Sequence, residues 1–236
     1  MDIEVYADAE SAAREAARIL AAEAREVAAA RGRVLMAFSG GSAPLPMFRA
    51  LAAGEDVPWD KVHLFQVDER IAPAGNADRN FVHLRECLLD HVPLPPANIH
   101  PMPVEDADPA AAAARYEATL KSVAGSPPVL DLVHLGLGPD GHTASLIPGD
   151  PVLDIADADV ALAGPYQGRL RMTLTFPVIN RARRILWLVT GSGKAAMLVR
   201  VMAGDPSIPG GRVRQDQALV VADREAAAKL DHEQES

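Results

Sequence analysis

Cysteine is almost absent from this chain of 236 residues, which has a single one at Cys87. One thiol excludes an internal disulfide and any metal site built only from thiolates. Cys87 lies in a helical pattern, which favours a small buried residue over a nucleophile.

Long hydrophobic runs are also lacking, although 49% of the residues are hydrophobic. No apolar stretch approaches the roughly 18 residues that a membrane span needs. The first residues, Met1-Asp2-Ile3-Glu4, are acidic where a signal peptide is basic. We therefore expect a cytoplasmic protein without a membrane partner, folded as a single domain over residues 1–236.

Positive charge is scarce, with 23 Lys and Arg against 32 Asp and Glu and a net charge of −9. This balance argues against a nucleic-acid partner, because phosphate backbones are bound by a surplus of Lys and Arg. A small phosphorylated ligand is still compatible with it, since such a ligand needs only a few local cations and backbone N–H groups.

Short runs rich in Val, Ile and Leu alternate with segments of helical periodicity. The alternation predicts the α/β class, with a mostly parallel, Rossmann-like sheet covered by helices on both faces. The predicted strands are Val34–Phe38, Val62–Val67, Leu132–Leu137, Val160–Ala163, Leu170–Phe176, Ile185–Thr190 and Leu219–Ala222. The predicted helices are Ser11–Ala30, Pro46–Ala53, Asn80–His91, Pro109–Ser122, Pro177–Ala182 and Lys194–Met202. Pro93–Pro103 and Gly204–Arg214 are predicted as loops, and Leu230–Ser236 as a frayed acidic tail.

The segment from Leu132 to Leu146 is the most informative part of the chain. Its apolar strand stops at a glycine-rich loop that carries Asp140 and His142. Open α/β sheets build their ligand sites at the carboxyl ends of their strands. Imidazole is the side chain that titrates near neutral pH unaided, and a neighbouring acid can orient it. The segment therefore predicts a proton-handling site.

Three other strand ends carry glycine or charge. Gly40-Gly41-Ser42 follows a buried strand, where glycines let N–H groups turn towards an anion, although a tight turn needs glycine in any case. Asp68 and Arg70 follow the next strand, in a position where solvated charges are also common. Lys194 follows the turn Gly191-Ser192-Gly193, where an ammonium can meet a phosphate as a point charge. Only the combination of these features predicts a phosphate site.

Two motifs resemble nucleotide-binding loops without meeting their chemistry. The segment from Gly136 to Gly141 matches the dinucleotide pattern, but Pro139 stiffens it and the Asp-Gly-His sequence crowds a pyrophosphate. The Gly191 turn lacks the first glycine of a P-loop and has Ala195 where Ser or Thr holds Mg²⁺. A Gly-x-Ser-x-Gly elbow and paired metal-ligand histidine spacings are missing. We expect neither a cofactor nor a metal.

Taken together, these residues resemble the 6-phosphogluconolactonase family of the pentose phosphate pathway. The block from Leu135 to Leu146, with its Asp-Gly-His-Thr-Ala-Ser core, carries most of the resemblance. The Gly-Gly-Ser turn, the Asp-Glu-Arg triplet and the late lysine follow in family order over nearly the whole chain. The resemblance implies a three-layer αβα domain that acts on a sugar 6-phosphate. The family shares this fold with glucosamine-6-phosphate deaminase.

The resemblance also implies residue roles. His142 corresponds to the general base that activates water against the lactone carbonyl, and Asp140 to its neighbour in the site. Arg171 lies in Arg171-Met172-Thr173-Leu174-Thr175, which resembles the family's Arg-x-Thr-x-Thr strand and places its three polar residues on one face. The implied phosphate and substrate pocket consists of Gly40, Gly41, Ser42, Asp68, Arg70, Arg171 and Lys194.

Departures from the family pattern leave the sugar contacts open: Ala43 replaces a threonine, Arg79 a serine and Ile147 a phenylalanine. Deaminases have a glutamate at the position of Ile147, where it supports the histidine in opening the sugar ring. An alkyl side chain cannot relay a proton, so a lactonase is favoured over a deaminase. A non-catalytic sugar-phosphate sensor is a third alternative, but the chain lacks the length and basic character for a DNA-binding helix-turn-helix. Its assembly stays open between a monomer and a small homo-oligomer.

Overall fold

The computed structural model describes residues 1–54 and 56–230, so positions 231–236 of the predicted tail Leu230–Ser236 lie outside the described residues. The strands are β1 Asp2–Tyr6, β2 Val34–Phe38, β3 Val62–Gln66, β4 Asp68–Arg70, β5 Ile99–His100, β6 Leu132–Leu135, β7 Val160–Tyr166, β8 Arg169–Leu174, β9 Arg184–Val189 and β10 Ala218–Asp223. The α-helices are α1 Ala9–Arg31, α2 Leu45–Ala53, α3 Asn80–Cys87, α4 Pro109–Ala124, α5 Phe176–Arg181, α6 Ala195–Met202 and α7 Arg224–Ala227.

The first helix shows how the sequence sets an element boundary. The Asp8 carboxylate accepts the Ser11 N–H at 2.7 Å, and the Ser11 hydroxyl oxygen accepts the Asp8 N–H at 3.1 Å. This reciprocal capping box satisfies two N–H groups that have no partner inside the helix. At the other end Gly32 adopts a φ of +75°, the left-handed conformation that ends helices.

Seven parallel strands form the main sheet in the order β1-β10-β9-β6-β2-β3-β5. Alternate side chains point to opposite faces: Val34, Met36 and Phe38 pack with α1, α2 and α3, whereas Leu35 and Ala37 pack with the layer that contains α4, α5, α6 and α7. The predicted three-layer α/β architecture is therefore confirmed.

The order of the strands also locates a crevice. From β2 the chain moves outward to β3 and β5, whereas from β6 it moves in the opposite direction to β9 and β10. Because β2 and β6 are neighbours, the connections that follow them diverge and leave a gap at the carboxyl edge of the sheet. The loops that carry Gly40 and His142 begin beside this gap.

The sequence did not predict three of the strands or the second sheet. An antiparallel sheet in the order β4-β8-β7 stands apart from the parallel one, so Val160–Ala163 and Leu170–Phe176 belong to a hairpin. Strand β5 lies inside the predicted loop Pro93–Pro103, where only two residues pair. Strand β1 was missed because its side chains are largely exposed at the sheet edge and lack an apolar pattern. The helix predicted over Asn80–His91 ends at Cys87 and is followed by a 3-10 turn over Leu89–His91.

Among the described residues, every helix is too short or too polar to cross a lipid bilayer.

One histidine is buried in the middle of the sheet. His134 of β6 is 1% exposed and meets Phe38 and Phe48 edge-on, with ring centroids 6.1 and 6.4 Å away. Neither ring nitrogen has a hydrogen-bond partner within the described part of the chain. Burial lowers the pKa of His134 to about 3, because the charged imidazole is not solvated there.

We predict that His134 makes the protein sensitive to acid. An unfolded chain protonates its histidines below about pH 6.5, whereas folded His134 stays neutral down to its lowered pKa. Its contribution to the free energy of unfolding is therefore complete above that pH and falls by up to about 1.4 kcal/mol per pH unit as the solution is acidified. Urea unfolding across this range measures the slope.

His134→Leu should flatten this pH dependence. His91→Gln, which replaces an exposed histidine, is the control and should keep the slope of the parent protein. An equal slope in His134→Leu would contradict the prediction.

Candidate active site

A cleft of about 610 Å³ opens at the carboxyl edge of the parallel sheet. The loops after β2, β6 and β9 form its floor, and the antiparallel sheet forms one wall. The predicted site residues that line it are Gly40, Gly41, Ser42, Asp68, Arg70, His142, Arg171 and Lys194. Asp140 contacts the cleft through His142 and Tyr166. The structure thus brings together all the residues that the sequence singled out, and their roles remain predictions.

The imidazole of His142 is held by its neighbour in the loop. Its Nδ1 lies 2.5 Å from Oδ1 of Asp140, which also accepts the His142 backbone N–H at 3.2 Å. When Nδ1–H donates to the carboxylate, Nε2 keeps its lone pair. Within the described residues Nε2 has no hydrogen-bond partner, and the ring lines the cleft. The pair can therefore accept a proton from a group in the cleft.

Glycine at position 138 makes room for this pair. A Cβ atom there would lie 2.1 Å from Nδ1 of His142 and 2.7 Å from Oδ1 of Asp140. Both distances are far shorter than real contacts, so any side chain at this position would displace the imidazole.

Two opposing effects act on the pKa of Asp140. Burial raises it, but the backbone N–H and the imidazole of His142 lower it by more. The result is a pKa below the ordinary value, so Asp140 is a carboxylate at neutral pH. A carboxylate can accept the Nδ1–H and would stabilise a positive charge on the ring of His142.

The loop after β2 presents a row of N–H groups. The backbone N–H groups of Gly40, Gly41, Ser42 and Ala43 find no acceptor among the described residues. Gly41 has a φ of +99°, which turns the chain, and a Cβ at Gly40 would lie 2.1 Å from the Asn80 side chain. Successive free N–H groups before a helix form a concavity that binds anions. Ala43 lacks the hydroxyl of the family's threonine but keeps its N–H.

Two arginines face each other across the antiparallel sheet. Arg70 of β4 is the register partner of Arg171 of β8. Like charges directly opposite in a sheet repel each other. The Nε atoms of both side chains are buried and unpaired within the described residues, and both side chains line the cleft. Burial and the charge of Arg70 lower the pKa of Arg171, while Asp68 opposes them. A bound anion would relieve this repulsion and supply the missing acceptors.

Lys194 reaches the cleft from the turn after β9. Burial lowers its pKa, and the charge of Asp140 opposes the shift. A half-buried ammonium without a salt bridge among the described residues gains from an anionic ligand.

Asp68 is tied into the wall of the cleft. Its Oδ2 accepts the Ser145 hydroxyl at 2.7 Å, and the Asn80 amide lies 3.3 Å from its Oδ1. Ser145 is also held through its N–H, which donates to the Thr173 hydroxyl at 3.2 Å. This network connects the His142 loop to both strands that carry the arginines.

Sequence reasoning did not find several residues that line the cleft. Tyr166 and Gln167 come from the hairpin turn between β7 and β8, where no motif marks them. Asn80 also lines the cleft and directly follows Arg79, one of the departures from the family pattern. His134, which no motif in the sequence marks, is buried and also lines the cleft.

The matches with known proteins show the family to which the chain belongs. The family model described as glucosamine-6-phosphate isomerases/6-phosphogluconolactonase matches residues 7–221. A 6-phosphogluconolactonase of Synechocystis sp. is 41% identical over 210 residues, which cover 86% of this chain and 87% of that protein. The chain belongs to the glucosamine-6-phosphate isomerase/6-phosphogluconolactonase family, as the sequence motifs predicted.

Solved structures show the same fold. A 6-phosphogluconolactonase of Thermotoga maritima superposes with a TM-score of 0.85 at 26% identity, over 94% of this chain and 98% of that one. A monomeric glucosamine-6-phosphate deaminase superposes with a TM-score of 0.84 at 19% identity, over 97% of this chain and 100% of that one. The second likeness concerns the fold alone, so the fold does not separate the two chemistries.

We predict that inorganic phosphate binds in the cleft and raises the Tm of the protein. A ligand that binds only the folded state at 100 times its Kd stabilises it by about 2.7 kcal/mol. Arg171→Gln and Lys194→Gln should each reduce the shift, because each removes a cation that faces the cleft. Thermal unfolding with increasing phosphate, against sodium chloride of equal ionic strength, measures this effect.

The control is Arg25→Gln, which removes a partly exposed charge of α1 outside the cleft. Equal phosphate shifts in all variants would mean that the anion binds elsewhere.

Proposed function

We propose that this chain hydrolyses 6-phospho-D-glucono-1,5-lactone to 6-phospho-D-gluconate, with His142 as the general base. The observation that carries the proposal is the presence, in one cleft, of a carboxylate-held imidazole and two facing arginines whose Nε atoms have no partner among the described residues. The imidazole suits activation of water for attack on an activated ester. The arginines suit a phosphate group that lies away from the reacting carbon. The name of the Synechocystis relative, 6-phosphogluconolactonase, supports the same activity.

The mechanism follows from the geometry around His142. Nε2 takes a proton from a water molecule as the water oxygen attacks the lactone carbonyl carbon C1. The tetrahedral intermediate then expels the ring oxygen, which receives the proton from the imidazolium. Asp140 keeps Nδ1 protonated and stabilises the transient cation. No covalent enzyme intermediate is needed, because a δ-lactone is an activated ester.

The phosphate site supplies orientation. Arg70, Arg171, Lys194 and the N–H groups of the Gly40 loop hold the 6-phosphate, and the lactone carbonyl then lies at His142. Binding energy from a group that does not react is used to align the group that does. Four further features remain predictions: a cytoplasmic location, a single domain, a monomeric or small homo-oligomeric assembly, and the lack of a cofactor.

We predict that His142→Ala lowers kcat for 6-phosphogluconolactone by about 10²–10⁴-fold, the usual effect of removing a general base. Acid release from fresh lactone, corrected for spontaneous hydrolysis, measures the rate. His83→Gln on α3, outside the cleft, is the control and should retain the parent rate.

The His142→Ala protein should still show the thermal shift with phosphate, because the anion contacts remain. Near-parental turnover in a folded His142→Ala protein would refute the general-base role. A parent protein that binds phosphate but never turns over the lactone would support the sensor instead.

The deaminase alternative is tested with its own substrate. Ile147 is 9% exposed and packs in the apolar core, so its position offers no carboxylate for ring opening. We predict that the protein releases no ammonia from glucosamine 6-phosphate.

Asp68→Asn should reduce lactone hydrolysis less than His142→Ala does, since lactone hydrolysis breaks no C–H bond. Ammonia release coupled to fructose 6-phosphate formation, and lost in Asp68→Asn, would establish the deaminase.

A further inference from the structure

Tyr166, an aromatic residue of the antiparallel sheet, contacts the loop that carries Asp140 and His142. Tyr166 ends β7 and pairs with Arg169 of β8 across a two-residue turn. The turn residues Gln167 and Gly168 have φ angles of +50° and +76°, which a type I′ turn requires. This tight turn carries the hairpin tip to the cleft, which both Tyr166 and Gln167 line.

The hydroxyl of Tyr166 completes the coordination of Asp140. It donates to Oδ2 at 3.2 Å, while Oδ1 faces Nδ1 of His142 at 2.5 Å. Asp140 lies in a loop with a side chain that is 37% exposed, so packing alone does not fix its rotation. With both oxygens engaged, the carboxylate plane is set and so is the direction of the imidazole.

The ring of Tyr166 lies between the two halves of the site. Its centroid is 5.2 Å from that of the His142 ring, at an interplanar angle of 65°. The guanidinium carbon of Arg171 lies 5.1 Å from the same centroid, within the range of a cation–π contact. One side chain therefore contacts the proton acceptor, its carboxylate and the anion site.

We propose that Tyr166 is a positioning residue, whose hydroxyl aligns the Asp140–His142 pair and whose ring holds Arg171 in place for the phosphate. The inference rests on the proposed hydrolysis and assigns it a further residue. Burial and the charge of Asp140 raise the pKa of Tyr166, which keeps its hydroxyl a donor at neutral pH.

The two functions can be separated by two variants. Tyr166→Phe removes the hydroxyl and keeps the ring, whereas Tyr166→Leu removes both. Tyr6→Phe is the matched control, because the Tyr6 hydroxyl also donates to a carboxylate, that of Glu4 at 2.7 Å, outside the cleft.

For Tyr166→Phe we expect a kcat about tenfold lower, the loss expected for one hydrogen bond to a charged group. KM and the phosphate-induced shift in Tm should stay at the parent values. For Tyr166→Leu we expect the same loss in kcat and a KM about threefold higher, because Arg171 loses its aromatic contact. Tyr6→Phe should match the parent protein in all three measurements.

Proton NMR of the His142 Nδ1–H, identified by its loss in His142→Ala, gives a readout that does not depend on turnover. In Tyr166→Phe this resonance should broaden through exchange with water, because the freed carboxylate rotates. A sharp resonance together with parental kcat would overturn the proposal. A raised KM with unchanged kcat in Tyr166→Phe would also overturn it, since the hydroxyl would then bind substrate directly.

The NMR result separates this inference from the proposed hydrolysis. If the parent protein failed to turn over the lactone while the resonance still broadened in Tyr166→Phe, the hydrolysis would be refuted and the positioning role retained.

Discussion

A buried carboxylate, that of Glu69, connects the parts from which the cleft is built. Its side chain is fully buried, a state that a charge tolerates only when it is paired and hydrogen-bonded. Its oxygens accept hydrogen bonds from the backbone N–H groups of Arg70, Asn80 and Phe81 and from the side chain of Gln66. Arg79, which replaces the family's serine, lies 3.7 Å from Glu69 and also pairs with Glu105. One side chain thereby fixes β4 to the first turn of α3, and with them three residues that line the cleft, Asp68, Arg70 and Asn80.

The two sheets contribute different groups to the cleft: the parallel sheet contributes loops, and the antiparallel sheet contributes charged side chains. The parallel sheet supplies loops whose glycines and N–H groups converge at a strand edge, whereas the antiparallel sheet supplies side chains, including the opposed pair Arg70 and Arg171. Repulsion between these arginines is unfavourable in the free protein, so an anion bound between them would remove an energetic cost already present in the folded state. A net charge of −9 does not oppose anion binding in the cleft, because the electrostatic field there is set mainly by the nearby charges and by the low-dielectric protein around them.

The parallel sheet was predictable because buried strands have continuous apolar runs, and β2 was placed at its observed bounds. Loop residues at carboxyl strand ends, such as His142, were predictable because topology alone brings those ends together. The antiparallel sheet was not predictable, since the three residues of β4 are too few for a pattern and its pairing with β8 joins residues 101 to 105 positions apart in the sequence. The place of Tyr166 in the cleft was not predictable either, because it depends on the direction of the hairpin turn between β7 and β8.

Because the shared fold does not separate a lactonase from a deaminase, individual side chains must do so. Ile147 is buried among apolar residues, so a carboxylate there would lose its hydration without a partner supplied by the core. Asp68 carries the charge that a C2 proton transfer would require, yet Ser145 and Asn80 engage its oxygens. Because hydrogen bonds hold this carboxylate in place, it is poorly suited to move a proton and well suited to connect the His142 loop to β4. Nε2 of His142 has no hydrogen-bond partner among the described residues, and the ring lines the same cleft as the arginines. Under the proposed hydrolysis, His142 held by Asp140 is therefore the group best placed to activate water against a bound lactone.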